Sequence, residues 1–125
     1  MTTQGRPVFL DLTKIRLPIN ALVSILHRIT GVLLILSIPL VFWLFQLSLA
    51  GPEGFEQALG LLGHPVGLLL LLGWLWLLMH HFFVGIRFLL VEVGVGETRK
   101  GGRDTAWSAL IAGIVSAILL WAVFL

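Results

Sequence analysis

Polar and apolar positions along this chain fall into long blocks rather than short alternations. No formally charged residue occurs within 29–52, 57–86 or 105–125. The first window opens on a nearly unbroken apolar run over 29–50, and the second is densest over 66–83. About 20 helical residues cross a hydrocarbon layer about 30 Å thick, so each window is long enough for one span. Lipid offers backbone N–H and C=O groups no partner, which makes each span a helix. The pattern predicts an all-α membrane protein with three transmembrane helices, over 21–50, 65–91 and 105–125. Residues 1–20 lead into the first span, 51–64 and 92–104 connect the spans, and the whole is one membrane domain. Within the first connection, Phe55, Leu59 and Leu62 recur at helical spacing after Pro52-Glu53-Gly54, which predicts a short helix lying in the interface. Gly94 to Gly102 is glycine-rich and charged and reads as a turn. Pro18 is suited to the start of the first helix, and Pro39 should kink it.

Composition narrows the function classes. Of 125 residues, 58% are hydrophobic and 11% charged, whereas ordinary globular chains are about a quarter charged. This excludes a soluble enzyme, a disulfide-stapled module and a disordered tail. With no cysteine, the chain cannot itself hold an iron–sulfur cluster or a thiolate zinc. Ser48-Leu49-Ala50 looks like a signal-peptide cleavage site, but the run before it exceeds the usual apolar core of about 7–15 residues.

Charge placement sets an expected orientation. Arg6, Lys14, Arg16 and Arg28 precede or open the first span. Arg87, Arg99, Lys100 and Arg103 close the second or follow it. The 51–64 connection carries Glu53 and Glu56 and no basic residue. All eight Lys and Arg therefore lie on one side, which the positive-inside rule makes cytoplasmic, with the C-terminus on the opposite side. A net charge of only +2, so arranged, fits membrane topology better than nucleic-acid binding.

Ionisable and polar groups at membrane depth are expensive and mark candidate function. Here they are Ser24, His27, Arg28, His80, His81, Arg87 and Glu92. Each has a plain structural alternative. The arginines can snorkel to headgroups, Ser24 can bond its own i−4 carbonyl, and Glu92 can sit at the water boundary. His64, beside a loop proline, reads as solvated. His81 lies about 16 Å from Glu92 along the helix, near mid-bilayer. An imidazole there needs a helix-to-helix hydrogen bond or a metal. Gly85 follows His81 by one turn, and His27 and Gly31 repeat that spacing on the first helix. A glycine one turn from a histidine clears a flat space that a porphyrin edge needs, although small residues also serve plain helix packing. Ser24 and Arg28 share a face one turn apart, a hydroxyl and a cation suited to the carbonyl head of a quinone.

Two motifs carry a family resemblance. Arg6-Pro7, Asp11-Leu12 and Ser24-Ile25-Leu26-His27-Arg28-Ile29-Thr30-Gly31, followed by His81-Phe82-Phe83-Val84-Gly85-Ile86-Arg87, resemble the cytochrome b membrane anchor of succinate dehydrogenase. The resemblance extends to length, span count and charge placement. It implies a helical bundle shared with a second anchor subunit and holding haem b. His81 would be one axial ligand of the haem iron, and the partner anchor would supply the other. His27, Arg28, Gly31, Gly85 and Arg87 would lie against the haem, with Arg87 pairing with a propionate. Ser24 and Arg28 would line the ubiquinone pocket. Electrons would arrive from an iron–sulfur subunit, having left succinate at a flavoprotein subunit, so no catalytic residue of succinate oxidation lies on this chain. The implied location is a bacterial inner membrane. Phe88 stands where many relatives carry a second histidine, and Glu92 where they usually carry aspartate. Consecutive helical residues point about 100° apart, so His80 cannot share one iron with His81 and is expected to bond across to another helix. Two rivals remain: a haem-free quinone-binding anchor of the fumarate reductase type, and a non-redox structural or transport subunit. The mid-span acidic residue expected of a coupled transporter is missing from all three windows.

Overall fold

The computed structural model describes Gly5, Asp11 and residues 13–124. Arg6, Pro7 and Leu12 of the resemblance fall outside the described residues. Four helices follow one another: α1 (Ile19–Ser48), α2 (Pro52–Gly63), α3 (Pro65–Glu92) and α4 (Arg99–Phe124). Helices α1, α3 and α4 are each long and apolar enough to cross a membrane. No strand occurs among the described residues. The chain is an all-α membrane protein.

The ends of the helices follow from local chemistry. Pro18 is the N-cap of α1 rather than its first residue, and its carbonyl accepts from the Ala21 and Leu22 amides. Helix α1 runs unbroken through Pro39. Gly51 takes φ 110°, a left-handed value natural to glycine, and turns the chain into α2. Helix α2 lies against the end of α1 because Gly54 has no side chain. A Cβ there would come within 3.1 Å of Ala50 Cβ and collide with the Leu47 carbonyl. His64 joins α2 to α3, and its Nδ1 accepts from the Val66 amide at 3.2 Å. This exposed imidazole is thus a helix cap.

Helix α4 begins at Arg99, well ahead of the expected 105. The glycine-rich segment divides in two. Gly94 and Gly96 form the turn at φ 91° and 82°, while Gly101 and Gly102 are helical. Thr98 supplies the start, with its hydroxyl accepting from the Gly101 amide at 2.9 Å. The helical glycines serve close approach instead of a bend, since a Cβ on Gly102 would lie 3.1 Å from Asn20 Nδ2.

Helix α4 buries Gly102, Ala106, Ala109, Gly113 and Ala117. This small-residue face brings its backbone close to α3, and a Cβ on Gly113 would lie 3.0 Å from His80 Cα. Val23, Val84, Ala106 and Ala109 form the core where α1, α3 and α4 meet. The end of the bundle holding the α3–α4 turn and the start of α1 is called here the basic end, and the end holding α2 the far end.

Candidate functional site

The two motif histidines meet face to face. The rings of His27 on α1 and His81 on α3 stack with centroids 4.0 Å apart and planes 8° from parallel. Both motif glycines lie at this contact, each opposite the other helix's histidine. A Cβ on Gly31 would lie 2.9 Å from His81 Cε1, and one on Gly85 would lie 3.7 Å from His27 Nε2. The space beside each glycine, expected to serve its own helix's histidine, therefore admits the imidazole from across the interface. Phe88 packs edge-on against His27 at 5.1 Å and closes the pair from one side.

Hydrogen bonding fixes the chemistry of His81. Its Nδ1 lies 3.1 Å from the His27 carbonyl oxygen and 3.3 Å from Thr30 Oγ1. A carbonyl can only accept, so Nδ1 is the donor, and in the neutral imidazole Nε2 then keeps its lone pair. Among the described residues Nε2 has no partner, and it is not sealed inside the chain. A metal-ligating histidine has this pattern, with one nitrogen tied to a carbonyl and the other open.

His80 differs in every respect. It is 0% exposed, lies against Trp76 with ring centroids 5.3 Å apart, and backs onto Gly113. Neither ring nitrogen has a hydrogen-bond partner among the described residues. The expected bond from His80 to another helix is therefore not formed: the small face of α4 brings backbone and no polar side chain to it.

Ser24 is half-buried and makes no hydrogen bond to another described residue, so the self-satisfying bond to its i−4 carbonyl is not formed. Arg28, one turn on, is exposed and has no ion pair among the described residues. Arg87 is only 8% exposed. Its Nε donates to Thr105 Oγ1 at 3.2 Å, and one Nη donates to Asn20 Oδ1 at 3.1 Å and to the Gly102 carbonyl at 3.2 Å. The guanidinium thereby ties α3 to the starts of α1 and α4. None of these bonds reaches His27 or His81.

Sequence reasoning assigns no role to Thr30, Asn20 or Thr105. Thr30 stands one turn after His27 inside the first motif, which is a usable signal. Nothing local marks Asn20 or Thr105 as partners of Arg87.

These features define a polytopic helical membrane subunit built around a histidine pair. A family model described as the transmembrane subunit of succinate dehydrogenase and fumarate reductase matches residues 2–120. The chain is 38% identical over 116 residues to the succinate dehydrogenase cytochrome b556 subunit of Coxiella burnetii, covering 91% of this chain and 92% of that one. The subunit of the same name from Paracoccus denitrificans is 30% identical over 96% of this chain and 92% of its own length. That from Rickettsia bellii is 33% identical over 93% and 90%. The chain belongs to the family of succinate dehydrogenase/fumarate reductase transmembrane subunits.

Proposed function

We infer that this chain is the haem b-bearing membrane anchor of a succinate:ubiquinone oxidoreductase. The observation that carries this reading is the His81 imidazole, held by its Nδ1 on a backbone carbonyl with Nε2 open, deep within a membrane-spanning helix. Among the described residues no group of three His, Cys, Asp or Glu could hold a bare metal ion. Haem asks less of the chain, because the porphyrin brings four of the iron's ligands and one imidazole from each of two anchors suffices. The residues present thus fit haem and not a free cation.

When bound, the haem supplies a one-electron carrier in the apolar layer. His81 would ligate the iron through Nε2, and a second anchor subunit would supply the remaining protein ligand. His27 covers one face of the His81 ring, Gly31 and Gly85 make room for the two rings to meet, and Arg28 would offer charge to a propionate. Arg87, also expected at a propionate, retains one Nη outside its bonds to α1 and α4. Ser24 donates its uncommitted hydroxyl to a quinone carbonyl, and Arg28 favours the negative charge that builds on that oxygen during reduction. The basic end faces the cytoplasm of a bacterial inner membrane, where the iron–sulfur and flavoprotein subunits dock and deliver electrons from succinate.

Purification of the chain's native assembly in mild detergent tests the reading. A flavoprotein, an iron–sulfur protein and a second small membrane subunit should co-purify, with the absorption bands of a low-spin haem. A colourless assembly of the same four subunits would transfer the reading to a haem-free anchor; a chain isolated without companions would end it.

A further inference from the structure

We propose that Thr30 is a positioning residue for His81: it selects the ring nitrogen that faces the iron and sets how strongly that nitrogen donates. The proposal rests on His81 being the haem ligand. Thr30 is 1% exposed, enclosed where α1 meets α3. Its hydroxyl donates to the His27 carbonyl at 3.0 Å, so its hydrogen is committed and only lone pairs face His81 Nδ1. The Nδ1 hydrogen thus lies between two acceptors, the His27 carbonyl at 3.1 Å and Thr30 Oγ1 at 3.3 Å.

The surrounding contacts leave the imidazole few other choices to make. The His27 ring covers one face, and the bare backbone of Gly31 lies at the Cε1 edge. What remains open is the half-turn that exchanges Nδ1 with a carbon, together with the choice of protonated nitrogen. Both are decided by what stands opposite Nδ1. The His27 carbonyl receives both the Nδ1 hydrogen and the Thr30 hydroxyl, so Thr30 shares the first acceptor as well as presenting a second. The threonine oxygen adds an acceptor that the helix backbone does not provide. A hydrogen bond from Nδ1 makes Nε2 a stronger donor, which favours ferric over ferrous iron.

The test uses the intact complex, with Thr30→Val, Thr30→Ser and Thr30→Cys compared by potentiometric titration of the haem bands and by low-spin electron paramagnetic resonance. Thr30→Val keeps shape and removes one of the two acceptors, leaving Nδ1 the His27 carbonyl alone. Its midpoint potential should rise, its g values should move, and its haem affinity should fall about 10-fold or more, the usual consequence of losing a partner behind a metal ligand. Thr30→Ser should restore the wild-type signature. If Thr30→Val fails to assemble, Thr30→Cys carries the decision, since sulfur is a weak acceptor and the same upward shift is expected in smaller degree. Wild-type potential and g values in Thr30→Val, or in Thr30→Cys where the valine variant does not assemble, overturn the proposal. His81→Ala is the separate control: an unaltered haem signature there would overturn the ligand assignment itself.

Discussion

The two halves of this bundle are built on opposite plans. Toward the basic end, polar side chains connect the helices: His81 to α1, Arg87 to α1 and α4, Thr30 behind the histidine pair. Toward the far end, a cavity of about 840 Å³ opens between α1, α2 and α3, lined mostly by apolar side chains, with leucine the commonest and Trp43, Trp74 and Trp76 among them. Its notable polar contact is Trp74 Nε1 donating to Ser37 Oγ at 2.9 Å. In lipid, apolar surface gains little by leaving the solvent, so helices are held together by close packing and hydrogen bonds. The half holding the histidine pair has both in abundance. The far half has fewer polar ties, Trp74 to Ser37 and Trp121 Nε1 to the Leu68 carbonyl at 3.3 Å, and packs more openly around the cavity.

The contrast is broken most severely at His81. Replacement by alanine removes the only imidazole on α3 with an open nitrogen, and the low-spin haem spectrum should disappear from the purified complex. His80→Ala should leave that spectrum in place, since neither His80 nitrogen reaches outside the α3–α4 contact. Loss of haem in the His80 variant alone would reverse the assignment.

Next in size are Ser24 and Arg28. Ser24→Ala should slow quinone reduction about tenfold, and Arg28→Leu about a hundredfold, the scale for removing a group that stabilises developing charge. Succinate oxidation by a soluble artificial acceptor should be unchanged in both. Equal loss of the two activities would mean that these residues serve assembly.

Arg87 gives a smaller effect of another kind. Its three acceptors come from α1 and α4, so Asn20→Leu and Thr105→Val should each reproduce part of the Arg87→Gln defect. A charged hydrogen bond contributes about 1.5–3 kcal/mol in water-soluble proteins and less between membrane helices, so about 1–2 kcal/mol of stability toward detergent denaturation is expected for each. The double variants should lose less than the sum, because the groups act as one network. Strict additivity, with a haem potential that moves only in Arg87→Gln, would point instead to a propionate contact.

What could be read from the sequence follows from how local each signal is. The three spans were legible because charge is excluded from them, and α1 and α3 lie within two residues of the expected limits at each end. The His-x-x-x-Gly repeats were legible because helical spacing puts their members on one face. The start of α4 was not, because Gly101 and Gly102 look like turn residues until Thr98 is seen to cap the helix and Asn20 to press against it. The reciprocal use of Gly31 and Gly85 was equally hidden. Spacing places a glycine beside its own histidine, and only the register of α1 against α3 reveals which ring fills the gap. Arg87 and Asn20 are bonded across most of the chain, with no pattern linking them.

The smallest effect is expected in the far half, and it decides whether the two halves are independent. Trp74→Phe and Ser37→Ala each remove the hydrogen bond between α3 and α1 while keeping nearly all the apolar contact. Interhelical hydrogen bonds in membrane proteins average about 0.6 kcal/mol, and Ser37 Oγ also donates to the Leu34 carbonyl at 2.7 Å. Neither change should move the haem potential or the quinone rate, and stability should fall by no more than about that average. The histidine pair is anchored by its own bonds, within α1 and between α1 and α3, so a loosened far end has no route to it through a shared polar contact. A shifted potential in Trp74→Phe would show that the helices move as rigid rods, in which case packing around the cavity, and not only the polar ties of the basic end, would set the geometry of the imidazoles.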